Sequence, residues 1–237
     1  MNVFAIGDLH LSIKSDKPMD VFGVHWENHM EKLKANWHQV VSKEDLVLIP
    51  GDISWAMRLK EAQMDLEWLN QLPGRKICIR GNHDYWWDRP SPLNRMYKHI
   101  YFLQNVAYLL DNLAICGTRG WALSGIESED KADEKMISRE CIRLKLSLDD
   151  AMKRGAKEIW VMLHYPPNEE GHMDSPFIEL IKQYPVTRVI YGHLHDEESW
   201  KKAPIGSCDG IEYHLVAADY LEFKPLPLAK VELKINE

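Results

Sequence analysis

The 237-residue chain lacks a Cys-x-x-Cys pair. Its four cysteines, Cys78, Cys116, Cys141 and Cys208, are scattered, so neither a zinc ribbon nor a disulfide framework is indicated. Cys78 and Cys116 sit in strand-like runs, where cysteine acts as a small buried hydrophobe. A Lys/Arg cluster is also missing: 29 basic against 36 acidic residues give a formal charge of −7 and a pI near 5.9. That balance argues against a nucleic-acid partner, because gripping a phosphate backbone needs a basic patch. No apolar run approaches the length of a bilayer span, and Met1 to Ile6 is too short, and too poor in charge before it, for a signal-peptide core. A cytoplasmic protein without a membrane partner is the expectation. Internal repeats and low-complexity linkers are absent, and 45% hydrophobic residues suffice for an extended core. The chain is therefore read as a single domain over residues 1–237.

What is present is a recurring arrangement in which an apolar run stops at a metal-type residue. Ile77 to Ile79 runs into Gly81-Asn82-His83-Asp84, which delivers an amide oxygen, an imidazole and a carboxylate to one loop tip. Val3 to Ile6 is followed by Asp8 and His10, Leu46 to Ile49 by Asp52, Ile159 to Leu163 by His164, and Val186 to Tyr191 by His193 and His195. Each run is short, apolar and closed by Gly or Pro, as buried strands are. Three-and-four spacing predicts a helix from Trp26 through Val41, carrying His25, His29 and His38 as surface or packing residues. A second helix is predicted over Leu59 to Leu69, and a third from Met136 to Met152 with Glu140 and Arg143 on a solvated face. Val106 to Leu110 and Leu113 to Cys116 read as two strands joined at Asp111-Asn112, and Ile211 to Ala217 and Val231 to Ile235 as later strands. Tyr85, Trp86 and Trp87 are expected to wall a polar site from water. Strands alternating with helices predict an α/β fold with a partly antiparallel sheet.

In open α/β sheets the functional loops gather at the carboxyl ends of the strands. Convergence would bring together four imidazoles, two carboxylates and an amide oxygen, too many donors for one tetrahedral zinc and about right for two ions sharing a bridging carboxylate. The order Asp-x-His, Gly-Asp, Gly-Asn-His-Asp, His, Gly-His-x-His, from Asp8 to His195, resembles the calcineurin-like metallophosphoesterase superfamily. The resemblance implies a four-layer sandwich of two mixed β-sheets flanked by helices. It implies that Asp8, His10 and His195 hold one divalent ion, that Asn82, His164 and His193 hold a second, and that Asp52 bridges them. It gives His83 as general acid, with Asp84 as a possible orienting partner. Nitrogen and oxygen donors without cysteine suit manganese, iron, cobalt or zinc.

The implied activity is hydrolysis of a small or medium phosphate mono- or diester by a metal-bridging hydroxide. A non-hydrolytic scaffold of the same fold that binds a protein partner is the alternative. The Gly-Asp block continues Ile53-Ser54-Trp55 and lacks the Asp-Arg continuation of the protein phosphatases, which disfavours a phosphoprotein substrate. Arg119, flanked by glycines beyond the Leu113 to Cys116 strand, is expected on the substrate side as a phosphate clamp, with Trp121 packing on the group the phosphate carries.

Overall fold

The computed structural model describes residues 1–14, 17, 19–123, 131–168 and 174–232, residue 131 by its backbone only. The strands are β1 (Asn2–Ala5), β2 (Leu46–Ile49), β3 (Arg75–Cys78), β4 (Ile100–Phe102), β5 (Tyr108–Leu110), β6 (Leu113–Thr118), β7 (Glu158–Leu163), β8 (Val186–Tyr191), β9 (Gly206–Cys208), β10 (Ile211–Leu215) and β11 (Leu226–Lys230). The helices are α1 (His29–Val40), α2 (Leu59–Gln71), α3 (Pro90–Met96), α4 (Lys131–Lys153), α5 (Pro176–Ile181) and α6 (Glu197–Lys202). The fold is α/β with two mixed sheets flanked by helices, and its contacts divide it into two compact units.

The first unit comprises Met1–Phe102 and Val216–Glu232 and holds the sheet β11-β1-β2-β3-β4. Strands β1 to β4 are parallel and β11 closes the edge antiparallel to β1. β2 reads Leu-Val-Leu-Ile with every side chain buried, as a parallel strand covered on both faces must be. Leu33 and Trp37 of α1 and Ala62, Leu66 and Leu69 of α2 join Phe4, Val47, Ile49 and Cys78 in one core cluster. The helix predicted from Trp26 begins at His29, after a 3₁₀ turn over Val24–Trp26. His25 is exposed in that turn while His29 is buried edge-on to Trp26, where burial lowers its pKa, so the two do not share a face. Trp86 and Trp87 do not wall a site: both are buried, and each ring meets Phe102 edge-on. Only Tyr85 of that trio is exposed.

The second unit covers Leu103–Leu215 among the described residues, with sheet order β5-β6-β7-β8-β10-β9. β6, β7, β8 and β10 are parallel, and β5 and β9 cap the edges antiparallel. The predicted hairpin is present: Leu110 pairs with Leu113 across Asp111-Asn112, and Asp111 takes the positive φ that a two-residue turn requires. α4 packs on β6, and its buried stripe is Ile137, Glu140, Leu144, Ser147, Leu148 and Ala151. The solvated face expected for Glu140 is thus corrected, since its carboxylate is fully buried. The strand predicted over Val231 to Ile235 lies partly outside the described residues; the strand observed near the carboxyl end is β11.

Candidate functional site

In the first unit the loops beyond β1 and β2 run side by side and continue the parallel pairing in irregular form. Asp8 N donates to Gly51 O at 3.0 Å, His10 N to Asp52 O at 3.0 Å, Leu11 N to Ile53 O at 2.9 Å and Trp55 N to Leu11 O at 3.0 Å. Asp8, His10 and Asp52 adopt left-handed backbone with φ of 54°, 46° and 52°. That region costs residues with a β-carbon about 1 to 2 kcal/mol, though aspartate visits it more readily than most. The turns bring the donor atoms of Asp8 within 4.8 Å of those of His10 and of Asp52. His10 Nε2 lies 3.8 Å from Asp52 Oδ2, and all three residues are at most 2% exposed. Two buried carboxylates this close repel each other unless a cation sits with them, and the imidazole beside them completes a mixed N/O donor set. The set fits a divalent ion.

The third loop, beyond β3, locks onto the second. A β-carbon at Gly81 would overlap the backbone nitrogen and Oδ1 of Asp52, so only glycine fits. His83 N donates to Asp52 Oδ1 at 2.8 Å. Asn82 and His83 stand half-buried at the loop tip, the His83 ring 5.8 Å from that of His10. Asp84 is fully buried: Oδ1 accepts from Ile53 N at 2.9 Å, Ser54 N at 3.2 Å and Trp86 Nε1 at 3.1 Å, and Oδ2 accepts from Gly81 N at 2.8 Å. Burial pushes its carboxyl up to about 6 against the opposing pull of those four bonds. Asp84 therefore ties two strand-end loops together, and the expected bond to His83 is not among its four. Ser54 is also bound through Oγ to buried Asp65 of α2, whose Oδ1 accepts from Ile13 N at 2.9 Å.

The second unit is built in the same way at the carboxyl ends of β6, β7 and β8. His164 N and Tyr165 N both donate to Arg119 O, at 2.9 and 3.0 Å, and Gly192 N donates to His164 O at 3.1 Å. His164 is buried, its ring 5.0 Å from that of His193, whose backbone is left-handed at φ 75°. Tyr165 packs 4.1 Å from the His193 ring. His195 follows, half-buried, just before Asp196 caps α6. The Arg119 guanidinium lies 4.5 Å from the Trp121 ring centroid and 3.8 Å from Glu140 Oε1. Glu140 also takes Arg143 Nη1 at 2.6 Å and the Thr118 hydroxyl at 2.5 Å.

Two residues escaped the sequence reading. Trp55 stacks on His10 at 4.8 Å and 22° and lies 4.1 Å from His83, yet in sequence it is one aromatic among many. Glu140 falls on the inner stripe of α4, three residues after Ile137 and four before Leu144, and that spacing is the signal that could have found it.

With carboxylates and imidazoles at the strand ends of the first unit and imidazoles at those of the second, the class follows from comparison. The model of the calcineurin-like phosphoesterase family matches residues 1–197, and the chain belongs to that family of metal-dependent hydrolases. Candidate metal-binding residues are Asp8, His10 and Asp52 in the first unit and His164 and His195 in the second. Among curated proteins it is similar to the Gene 66 protein of Mycobacterium phage D29, 42% identical over 96 residues, and to that of phage L5, 36% identical over 94 residues. These matches cover 40% of this chain and 44% and 43% of the relatives, so the chain spans less than half the length of either. The crystal structure of the phosphopantetheinyl hydrolase PptH from Mycobacterium tuberculosis shares the fold, with a TM-score of 0.52 at 13% identity over 97% of this chain and 96% of that one. Among the described residues, no helix is long and apolar enough to cross a membrane.

Proposed function

We propose that the protein is a binuclear metal-dependent phosphoesterase acting on small or medium phosphate mono- or diesters. One observation supports this above the others: Asp8 and Asp52, both buried, present donor atoms within 4.8 Å of each other on left-handed turns beside His10. On the motif resemblance, Asp8, His10 and His195 would hold one ion and Asn82, His164 and His193 the other, with Asp52 available to both. Manganese, iron, zinc and cobalt all suit these donors. Bound there, the ions would neutralise phosphate charge, acidify a water and align nucleophile and leaving group.

The chain's own residues supply the rest. His83, its backbone fixed to Asp52 Oδ1, delivers a proton to the leaving alkoxide. Asp84 keeps the His83 and Asp52 loops in register through its backbone bonds. Arg119, braced by Glu140 and Trp121, donates two guanidinium N–H groups to nonbridging phosphate oxygens.

The test is the manganese-reconstituted protein assayed on aryl and alkyl phosphate mono- and diesters, with metal counted by elemental analysis. Two ions per chain falling towards one in Asp52→Asn, together with turnover, support the reading. Metal binding without turnover on every ester favours a scaffold that binds a protein partner. His83→Asn should lower turnover roughly 10²- to 10⁴-fold with metal content intact.

A further inference from the structure

The backbone bond to Asp52 fixes where His83 sits but does not by itself define its ring plane. The terminal torsion of histidine is broad, so what packs on the ring helps to set where its nitrogens point. The Trp55 indole lies 4.1 Å from the His83 ring at 49°, closer than His10 at 5.8 Å or Tyr85 at 6.4 Å. Trp55 is itself fixed from several sides. It is 8% exposed, stacks on His10 at 22°, donates Nε1 to Met19 Sδ, and has Lys17 Nζ 4.5 Å from its centroid. Its backbone nitrogen is bound to Leu11 O, and the preceding Ser54 is clamped by both Asp84 and Asp65.

We infer that Trp55 is a positioning residue, an indole wall that sets the ring plane of His83 for proton delivery to the leaving group. The inference rests on the acid role of His83 proposed above. A proton donor turned or displaced by about an ångström loses on the order of a hundredfold in rate. That loss should appear only where the leaving group needs the proton.

The experiment compares wild type, Trp55→Leu, Trp55→Phe, His83→Asn and the Trp55→Leu/His83→Asn double variant, all loaded with manganese, on an alkyl phosphate and on p-nitrophenyl phosphate. Trp55→Leu should lower kcat on the alkyl ester roughly ten- to hundredfold and on the nitrophenyl ester less than about threefold, with metal content unchanged. Trp55→Phe should recover most of the loss. The double variant should be no slower than His83→Asn alone, because one function cannot be lost twice. In the metal-free protein, the His83 ring resonance should shift in Trp55→Leu as the indole ring current disappears. Equal loss on both esters, loss of metal, or additive effects in the double variant overturn the inference. If His83→Asn discriminates between the esters and Trp55→Leu does not, the wall fails while the acid stands. If His83→Asn shows no discrimination, the acid role fails and the wall with it.

Discussion

Replacing Gly81 with alanine tests the interlock of the first unit's loops most directly. The residue does not need positive φ, so backbone conformation alone would accept alanine, and reduced unfolded-state freedom would favour it by up to about 1 kcal/mol. Contact decides the sign instead. The added methyl would collide with the backbone nitrogen and Oδ1 of Asp52, and the same glycine is held from the other side by the bond from its nitrogen to Asp84 Oδ2 at 2.8 Å. With neither side able to yield freely, one loop must move by on the order of an ångström. Overpacking of this kind costs about 1 to 3 kcal/mol, or on the order of 2 to 12 °C in Tm for a chain of this size. Displacing Asp52 by an ångström should cost roughly a hundredfold in kcat/KM and weaken metal retention. Gly155→Ala is the control: its φ of 83° makes alanine strained, but no atom lies within 4 Å of the added methyl, so it should lower Tm slightly and leave activity alone. A Gly81→Ala protein with wild-type Tm, metal content and kcat/KM would refute the interlock.

Asp84→Asn should retain the acceptor for Ile53 and Ser54 but turn an amide towards the Gly81 N–H, orphaning buried donors at about 1 to 3 kcal/mol; calorimetry should record a fall of several degrees. Lys76 is 1% exposed and burial lowers its pKa to about 8, on the order of 3 kcal/mol against the charged form. Below pH 8 the folded state bears that whole penalty. Between about 8 and 10.5 the unfolded chain binds a proton the folded one has released, so stability rises with pH. Urea melts at pH 7.5 and 10 should show that Lys76→Met removes this rise, whereas buried Cys78 and Cys116, with raised pKa values, pull the other way in both proteins. Arg119→Lys should raise KM or lower kcat/KM about tenfold if the guanidinium clamps phosphate, since lysine has no planar fork. Glu140→Gln should destabilise by less than the roughly 3 to 5 kcal/mol of a wholly buried pair, because Arg119 and Arg143 reach solvent, and should reproduce part of the Arg119→Lys kinetic defect.

What was legible in the sequence was whatever the backbone carries. The runs Val3 to Ile6, Leu46 to Ile49, Ile159 to Leu163 and Val186 to Tyr191 are strands or extend one, and the metal-type residues after them stand on the loops expected. The pattern works because a buried parallel strand is almost pure hydrophobe, so the first polar residue marks its end. The hairpin at Asp111-Asn112 was legible for a similar reason, its two runs being separated by turn residues. Side-chain partners were not legible. Trp86 and Trp87 went to the core and Trp55 to the site, although all three are tryptophans next to metal-type motifs, because that choice depends on which strand-end loops pair in space. Asp84 was placed correctly on its loop, but its fully buried position made backbone N–H groups the partners that offset its desolvation.

The left-handed turns explain why chemistry and backbone coincide here. Asp8, His10, Asp52 and His193 all adopt positive φ, a conformation that glycine or asparagine would accept at less cost than histidine. Local preference tolerates these side chains but does not by itself fix the turns, and the loops that carry them are held by bonds from elsewhere. Those bonds include Asp8 N to Gly51 O, His10 N to Asp52 O and the clamps at Asp84 and Asp65. Strain that persists because its surroundings over-determine it is typical of functional sites, and it is stored here at residues proposed as metal ligands. Asp8→Gly separates the two contributions, since it would relieve the turn while deleting a donor. Tm of the metal-free protein should rise or hold, while manganese affinity falls at least tenfold. A metal-free protein markedly less stable than wild type would mean that the Asp8 side chain serves the fold rather than an ion.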